Sequence, residues 1–199
     1  MDYFTSDLHL GHDRDFIYKP RGFGSVTEMN ETIIRNFSET LKDEDTLYIL
    51  GDVMMGAGIK ESCQMLGSIP GRKKIVIGNH DSQTKLELIK DIPGVEIIGY
   101  ADVYEYRERK FFLSHYPTMT ASFRMDLIPG KNIFTTPLKS QMINLSGHTH
   151  DKSKWDERTM SYNVAVDAHE CYPVSIEDIV KDCRLKYAAN SQFVIRKDD

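Results

Sequence analysis

Apolar positions along the chain recur with two different periods, and segments of each kind alternate. Residues 1–5 (Met-Asp-Tyr-Phe-Thr) are short and aromatic-rich and read as a strand. Met29, Ile33, Ile34, Phe37 and Leu41 fall at helical spacing, which predicts a helix over about residues 27–42. Ser25 or Thr27 would cap it, with Glu28 and Glu31 in its first turns. Residues 46–50 (Thr-Leu-Tyr-Ile-Leu) form a buried strand, 59–67 a short helix, 75–77 a strand, and 82–90 a short helix stopped near Pro93-Gly94. Strands follow at 95–98, 102–106 and 111–114, with Arg107-Glu108-Arg109-Lys110 as a charged hairpin turn. Later strands are expected at 142–146 and 162–166, and a capped helix from Pro173 to about Cys183. Residues 15–25 and 118–140 carry Pro and Gly breakers and read as irregular, the second as a mobile or substrate-lining segment. A polar loop holds Trp155, and the last fifteen or so residues are mixed and polar.

No repeat, low-complexity tract or linker interrupts the pattern, so 1–199 is expected to be a single domain. A net charge of -5 argues against a general nucleic-acid or membrane surface, though a local basic rim is compatible with it. Cys63, Cys171 and Cys183 are odd in number and widely spaced, and read as free thiols of a reducing compartment. No charged-then-apolar leader precedes the first strand and no apolar run nears membrane length. The expectation is a cytoplasmic protein without membrane contact; the sequence does not indicate an oligomeric state.

Candidate chemistry sits where the apolar runs end. Five short motifs are built from Asp, Asn and His beside small residues: Asp7-Leu8-His9, Gly51-Asp52, Gly78-Asn79-His80-Asp81, Ser114-His115 and Gly147-His148-Thr149-His150. Of seven histidines, five lie inside these motifs and His12 just beyond the first, a concentration that background composition does not give. Neutral imidazole is the commonest metal ligand and carboxylates suit divalent ions. Asp7 and His9, two residues apart in an extended segment, would share a face. Asp52 ends a buried strand, where open α/β sheets place function.

In this order the motifs resemble the calcineurin-like metallophosphoesterase superfamily, over residues 3 to about 183. Ser6-Asp7-Leu8-His9-Leu10-Gly11-His12, Met29-Asn30-Glu31 and Leu113-Ser114-His115-Tyr116-Pro117 are further similar to a compact bacterial and phage branch. The resemblance implies an α/β (α+β) fold, a two-sheet β sandwich flanked by helices in four αββα layers. It implies two divalent metal ions, Mn first, with Fe, Zn or Ni as alternatives. Asp7, His9 and His150 would hold one ion, Asn79, His115 and His148 the other, and Asp52 would bridge them. The implied reaction is attack of metal-activated water on a phosphate ester. His80 would contact the phosphate and protonate the leaving oxygen, and Asp81 would accept a hydrogen bond from its ring.

Some residues depart from the best-known members. Gly51-Asp52 continues as Val53-Met54-Met55-Gly56, without the arginine of protein Ser/Thr phosphatases, and Asp81 stands where those have Glu. A phosphoprotein substrate is therefore disfavoured, and another cation must meet the phosphate. His12, Arg14 and Arg21, with Lys19, lie in the loop after the first motif and are the candidates. The expected substrate is a small phosphodiester or phosphomonoester, nucleotide-like. The alternatives are a nuclease, for which there is no long basic track, and a non-catalytic metal-binding scaffold of the same fold, against which His80 and all seven ligands are present.

Overall fold

The computed structural model describes residues 1–107, 109–118, 142–156, 159 and 161–194. The irregular stretch expected at 118–140 lies, from residue 119, outside the described residues. Ten strands make two five-stranded sheets. In the first, β1 (Asp2–Thr5), β2 (Thr46–Leu50), β3 (Arg72–Val76) and β4 (Val95–Gly99) run parallel, and β10 (Val174–Ser175) pairs antiparallel with β1. The second has the order β5 (Ala101–Tyr106), β6 (Arg109–Ser114), β7 (Ile143–Ser146), β9 (Ser161–Asn163), β8 (Trp155–Asp156). There β6, β7 and β9 are parallel and the two edge strands antiparallel.

Alternation along the strands decides the layering, because successive side chains point to opposite faces. In β2 every residue is buried. Leu47 and Ile49 join a core with Met29, Ile33 and Phe37 of α2 (Val26–Thr40), Leu66 of α3 (Ile59–Ser68) and Ile89 of α4 (Gln83–Ile89). Tyr48 and Leu50 turn the other way. With Phe4 and Val76 they meet Phe111, Leu113, Leu145 and Tyr162 of the second sheet. Ile179, Val180 and Cys183 of α5 (Ile176–Val194) pack into this second core. The expected α/β sandwich of two sheets flanked by helices is what forms.

Helix α2 begins where its cap chemistry puts it: Ser25 Oγ accepts from Glu28 N, and Glu28 reaches back to Gly24 N. Five local expectations shift. Within 15–25, Asp15–Tyr18 forms one helical turn (α1), because Ile17 and Tyr18 are drawn into the helix-side core. The polar loop around Trp155 contains β8, and the hairpin turn is shorter than expected, with Tyr106 already paired to Arg109. The strand expected at 162–166 stops at Asn163, whose carboxamide oxygen accepts from Ala165 N. Val166 N then bonds to Ser6 O, and the chain crosses to the first sheet through a 3-10 turn at Val166–Ala168. Finally α5 continues well past Cys183, with no Gly or Pro between Ile176 and Val194 to stop it. Among the described residues no helix is long and apolar enough to cross a membrane. Cys63, Cys171 and Cys183 are free.

Candidate metal centre

All five motifs follow the C-terminal end of a strand: β1, β2 and β3 of one sheet, β6 and β7 of the other. Parallel direction brings those ends to one edge of the sandwich. The loops are then knitted together by backbone. Asp7 N, His9 N and Leu10 N donate to Gly51 O, Asp52 O and Val53 O at 3.1, 3.0 and 3.1 Å, and Gly147 N donates to His115 O at 3.0 Å. Close approach demands glycine. A Cβ on Gly147 would lie 2.1 Å from Asp7 Oδ2, and one on Gly78 would lie 2.4 Å from Asp52 Oδ1.

The ligand-bearing segments are not extended. Asp7, His9, Asp52, His148 and His150 all have left-handed backbone, with φ of 57, 49, 54, 72 and 52°. Asp7 and His9 do converge, but through two left-handed residues around a buried Leu8, not by the two-residue repeat of a strand. Non-glycine residues at such φ cost about 1–2 kcal/mol each and concentrate at functional sites.

The side chains form two groups that share Asp7. Asp7, His9 and His150 offer ligand atoms within 4.8 Å of one another, as do Asp7, Asp52 and His115. In the first, His9 Nε2 and His150 Nε2 are 3.2 Å apart and His150 Nε2 is 3.7 Å from Asp7 Oδ1. In the second, His115 Nε2 is 2.8 Å from Asn79 Oδ1 and 3.2 Å from His148 Nδ1. Asp52 Oδ2, a member of the second group, also reaches toward the first: it is 3.6 Å from His115 Nε2 and 3.5 Å from His9 Nε2. Its other oxygen accepts from His80 N at 2.9 Å. The fold thus gathers all seven residues expected as ligands.

These residues fit a divalent ion on three grounds. Asp7 is fully buried, and its Oδ1 has no hydrogen-bond partner. A buried, unpaired carboxylate oxygen is costly unless a cation meets it. Burial alone pushes the Asp7 carboxyl up, against the imidazoles of His115 and His150 and the hydrogen bonds from Ser6 and His148 N. Second, His115 Nδ1 faces Leu50 O at 2.8 Å. With its proton donated there, the Nε2 lone pair points at the Asn79 oxygen and the His148 nitrogen. Third, metal–nitrogen bonds of about 2.0–2.1 Å put neighbouring ligand atoms roughly 3 Å apart, the spacing seen in both groups. His9 is held neutral, its pKa lowered to about 2 by burial and then by the positive charges of His150, Arg21, His12 and His80.

No family model matches the chain. A protein of unknown function from Aquifex aeolicus superposes with a TM-score of 0.65 at 27% identity, over 91% of this chain and 98% of that one. An uncharacterized protein of Methanocaldococcus jannaschii is 28% identical over 183 residues, 90% of this chain and 89% of that protein. YfcE, a phosphoesterase from E. coli, superposes more loosely, with a TM-score of 0.47 at 20% identity over 82% of this chain and 77% of its own.

The remaining expected site residues have diverse placements. His80 stands at the open side, 40% exposed, with Nε2 4.0 Å from Asp52 Oδ2. Asp81 does not touch its ring. Both Asp81 oxygens face backbone, accepting from Asp52 N and Gly78 N at 2.8 Å and from Val53 N at 3.1 Å. The expected Asp81–His80 hydrogen bond is therefore replaced by a clamp between the second and third motifs. His12 is buried and its Nδ1 meets His9 Nδ1 at 3.2 Å, so it packs behind the His9 ring. Arg14 is exposed, and Lys19 pairs with Asp15 at the surface.

Arg21 has a different place from the one expected. Its side chain is 2% exposed and bonds Asp167 through Nε (3.0 Å) and Nη2 (2.8 Å). Nη2 also donates to Asp7 O at 2.8 Å. It lies behind the first motif and does not face the opening. Asp167, which the sequence reading passed over, completes this support: its Oδ2 is 3.3 Å from His150 Nδ1. Burial would raise the Asp167 carboxyl, but His150 and Arg21 hold it at about 2. The signal was present, since Asp167 follows the apolar run Val164-Ala165-Val166 as Asp52 follows its own strand. Lys85 was also missed. From α4 its Nζ donates to His80 O at 2.6 Å and Met54 O at 3.0 Å, a cation set between the second and third motifs.

Proposed function

We propose that the chain is a phosphoesterase that uses two divalent ions to hydrolyse a small phosphate ester. The observation that carries this reading is the shared arrangement of carboxylates. Asp7 contributes to both ligand groups with an unpartnered buried oxygen, and Asp52 Oδ2 lies between His9 and His115. Two ions bound there supply a clamp for phosphoryl oxygens and lower the pKa of water. Asp7, His9 and His150 would hold one, Asn79, His115 and His148 the other, with Asp52 as the bridge. Mn suits this oxygen and imidazole set, and the donor types also fit Fe, Zn or Ni.

The chain's own residues supply the rest. His80 is the exposed imidazole nearest the bridging carboxylate, placed to hold a phosphoryl oxygen and to give a proton to the leaving oxygen. Its backbone N–H donates to Asp52 Oδ1, which ties the loop of the acid to the loop of the bridge. Lys85, whose Nζ donates to His80 O, and the exposed Arg14 would supply positive charge in place of the absent arginine; both charges act on His12, whose pKa is lowered by burial and then by His80, Arg14 and Lys85. His12 and Asp167 orient His9 and His150 from behind.

The test is turnover of bis-p-nitrophenyl phosphate and p-nitrophenyl phosphate by Mn-loaded protein, set against chelated protein. Metal-dependent turnover of at least one, abolished in Asp52→Asn, is expected. Turnover of neither, with both ions bound, would overturn the hydrolase reading in favour of a metal-binding scaffold.

A further inference from the structure

A cleft of about 380 Å³ opens beside the fifth motif, with Gly147 and Thr149, the two residues that flank His148, in its walls. Pro117, Thr149, Asp151, Ser153, Trp155 and Asp156 are among its walls. It adjoins the metal centre through two chain connections. Thr149 lies between His148 and His150, and Pro117 follows Tyr116, whose half-exposed ring packs edge-on against His148 (4.5 Å between centroids) and His115 (5.1 Å). A group esterified to a phosphate at the centre therefore has this cleft as the adjacent space. Its volume falls in the range of small-molecule sites.

The walls specify what fits. Trp155 is a fixed surface: its indole meets Tyr162 edge-on at 5.2 Å, and Lys186 Nζ lies 5.7 Å from its centroid. An aromatic wall of this kind favours a flat ring. The charged groups among the walls are both carboxylates. Asp151 is exposed, and its Oδ1 accepts from Ser153 N at 3.0 Å. Asp156 adds a second carboxylate, which accepts from Thr159 N at 3.3 Å. Two carboxylates repel any further phosphate, so the cleft suits the neutral part of the substrate. They also favour a ring edge rich in N–H donors.

We propose that this cleft binds the base of a nucleotide substrate, and that Asp151 selects guanine, whose adjacent ring N–H and exocyclic amine match one carboxylate. Adenine offers a single donor beside an acceptor, which would face the carboxylate unfavourably. The inference rests on the phosphoesterase reading of the neighbouring centre, but its test does not need hydrolysis.

Trp155 is the only tryptophan among the 199 residues, so its emission reports on the cleft alone. Guanosine and adenosine, both without phosphate, are titrated into the full chain with Mn and after chelation. Guanosine is expected to quench the emission saturably in both states. Asp151→Asn, at an exposed position, is expected to weaken guanosine roughly tenfold and to leave adenosine little changed. Trp155→Phe, followed by equilibrium dialysis, should retain weakened guanosine binding. Absence of saturable quenching by guanosine in either state overturns the proposal. So does equal binding of both nucleosides that ignores Asp151→Asn. Guanosine binding without turnover of any guanine nucleotide ester sinks the phosphoesterase reading and keeps the cleft. Turnover without guanosine binding does the reverse.

Discussion

Replacing Asp81 separates two accounts of one residue. In the sequence it looks like the partner of a catalytic histidine; in the structure it is a clamp. Its carboxylate accepts three backbone N–H groups, from Asp52, Gly78 and Val53, all of them buried. Asp81→Ala leaves those three donors without partners. Each orphaned buried donor costs about 1–3 kcal/mol, and some of that is recovered by relaxation and entering water, so the total should be about 3–5 kcal/mol. For a chain of this size that lowers Tm by roughly 6–20 °C. Asp81→Asn is milder. With its carbonyl oxygen in the Oδ2 position it keeps Asp52 N and Gly78 N, and only Val53 N meets an amide donor in place of an acceptor. A loss of about 1–3 kcal/mol is expected. Thermal and urea unfolding of chelated protein measures both variants without interference from metal. The structure also predicts which site fails. The clamp fixes the backbone of Asp52, so a surviving Asp81→Ala fold should bind both ions more weakly. If instead Asp81→Ala unfolds within about 0.5 kcal/mol of the parent, the typical scatter of a neutral substitution, and binds both ions normally, the clamp account is wrong. Asp81 would then act through His80 after all.

Three further substitutions test neighbouring parts of the centre. Asp167→Asn removes the negative charge behind His150 and unpairs buried Arg21; Mn affinity at the ion held by His150 should fall about 10–100-fold in calorimetric titration, and equal weakening of both ions would contradict that placement. His80→Ala should leave both ions bound and lower kcat by roughly 10²–10⁴ on esters with alkoxide leaving groups, with a smaller loss on nitrophenyl esters; loss of an ion would make His80 a ligand. Asp52→Asn should cost more activity at saturating metal than Asn79→Ala, because Asp52 Oδ2 lies between His9 and His115; the reverse order would move the bridge elsewhere, with Asp7, which both groups share, the next candidate.

The clustering of the candidate ligands was legible in the sequence because each motif sets metal-binding side chains beside a small residue at the end of an apolar run. Gly51-Asp52 and Gly147-His148 are of this kind, and both lie where strands end. The sheet order was not legible in residues alone, since β4 and β5 adjoin in sequence yet belong to different sheets. Supporting roles were the hardest to read, for two physical reasons. Arg21 and Asp167 are 146 residues apart, and nothing local to Arg21 distinguishes a loop cation from one half of a buried pair. Asp81 is worse placed for sequence reasoning, because its partners are backbone amides, which carry no residue identity.

Strain ties these observations together. Five of the seven expected ligands sit at left-handed φ, at about 1–2 kcal/mol each. No helix or strand ladder can hold a residue in that state, so the restraint must come from hydrogen bonds outside the regular elements. Those restraints are the ones found: Gly51 O, Asp52 O and Val53 O on the first motif, Asp81 on the second, Asp7 Oδ2 accepting from His148 N on the fifth, and Arg21 with Asp167 behind His150. Glycine appears where one loop must pass directly against another, as Gly147 passes Asp7 and Gly78 passes Asp52. The chain therefore divides the work by residue type. Side chains with metal chemistry face the centre. The residues that hold them in strained positions have ordinary identities, and only the folded arrangement gives them their roles.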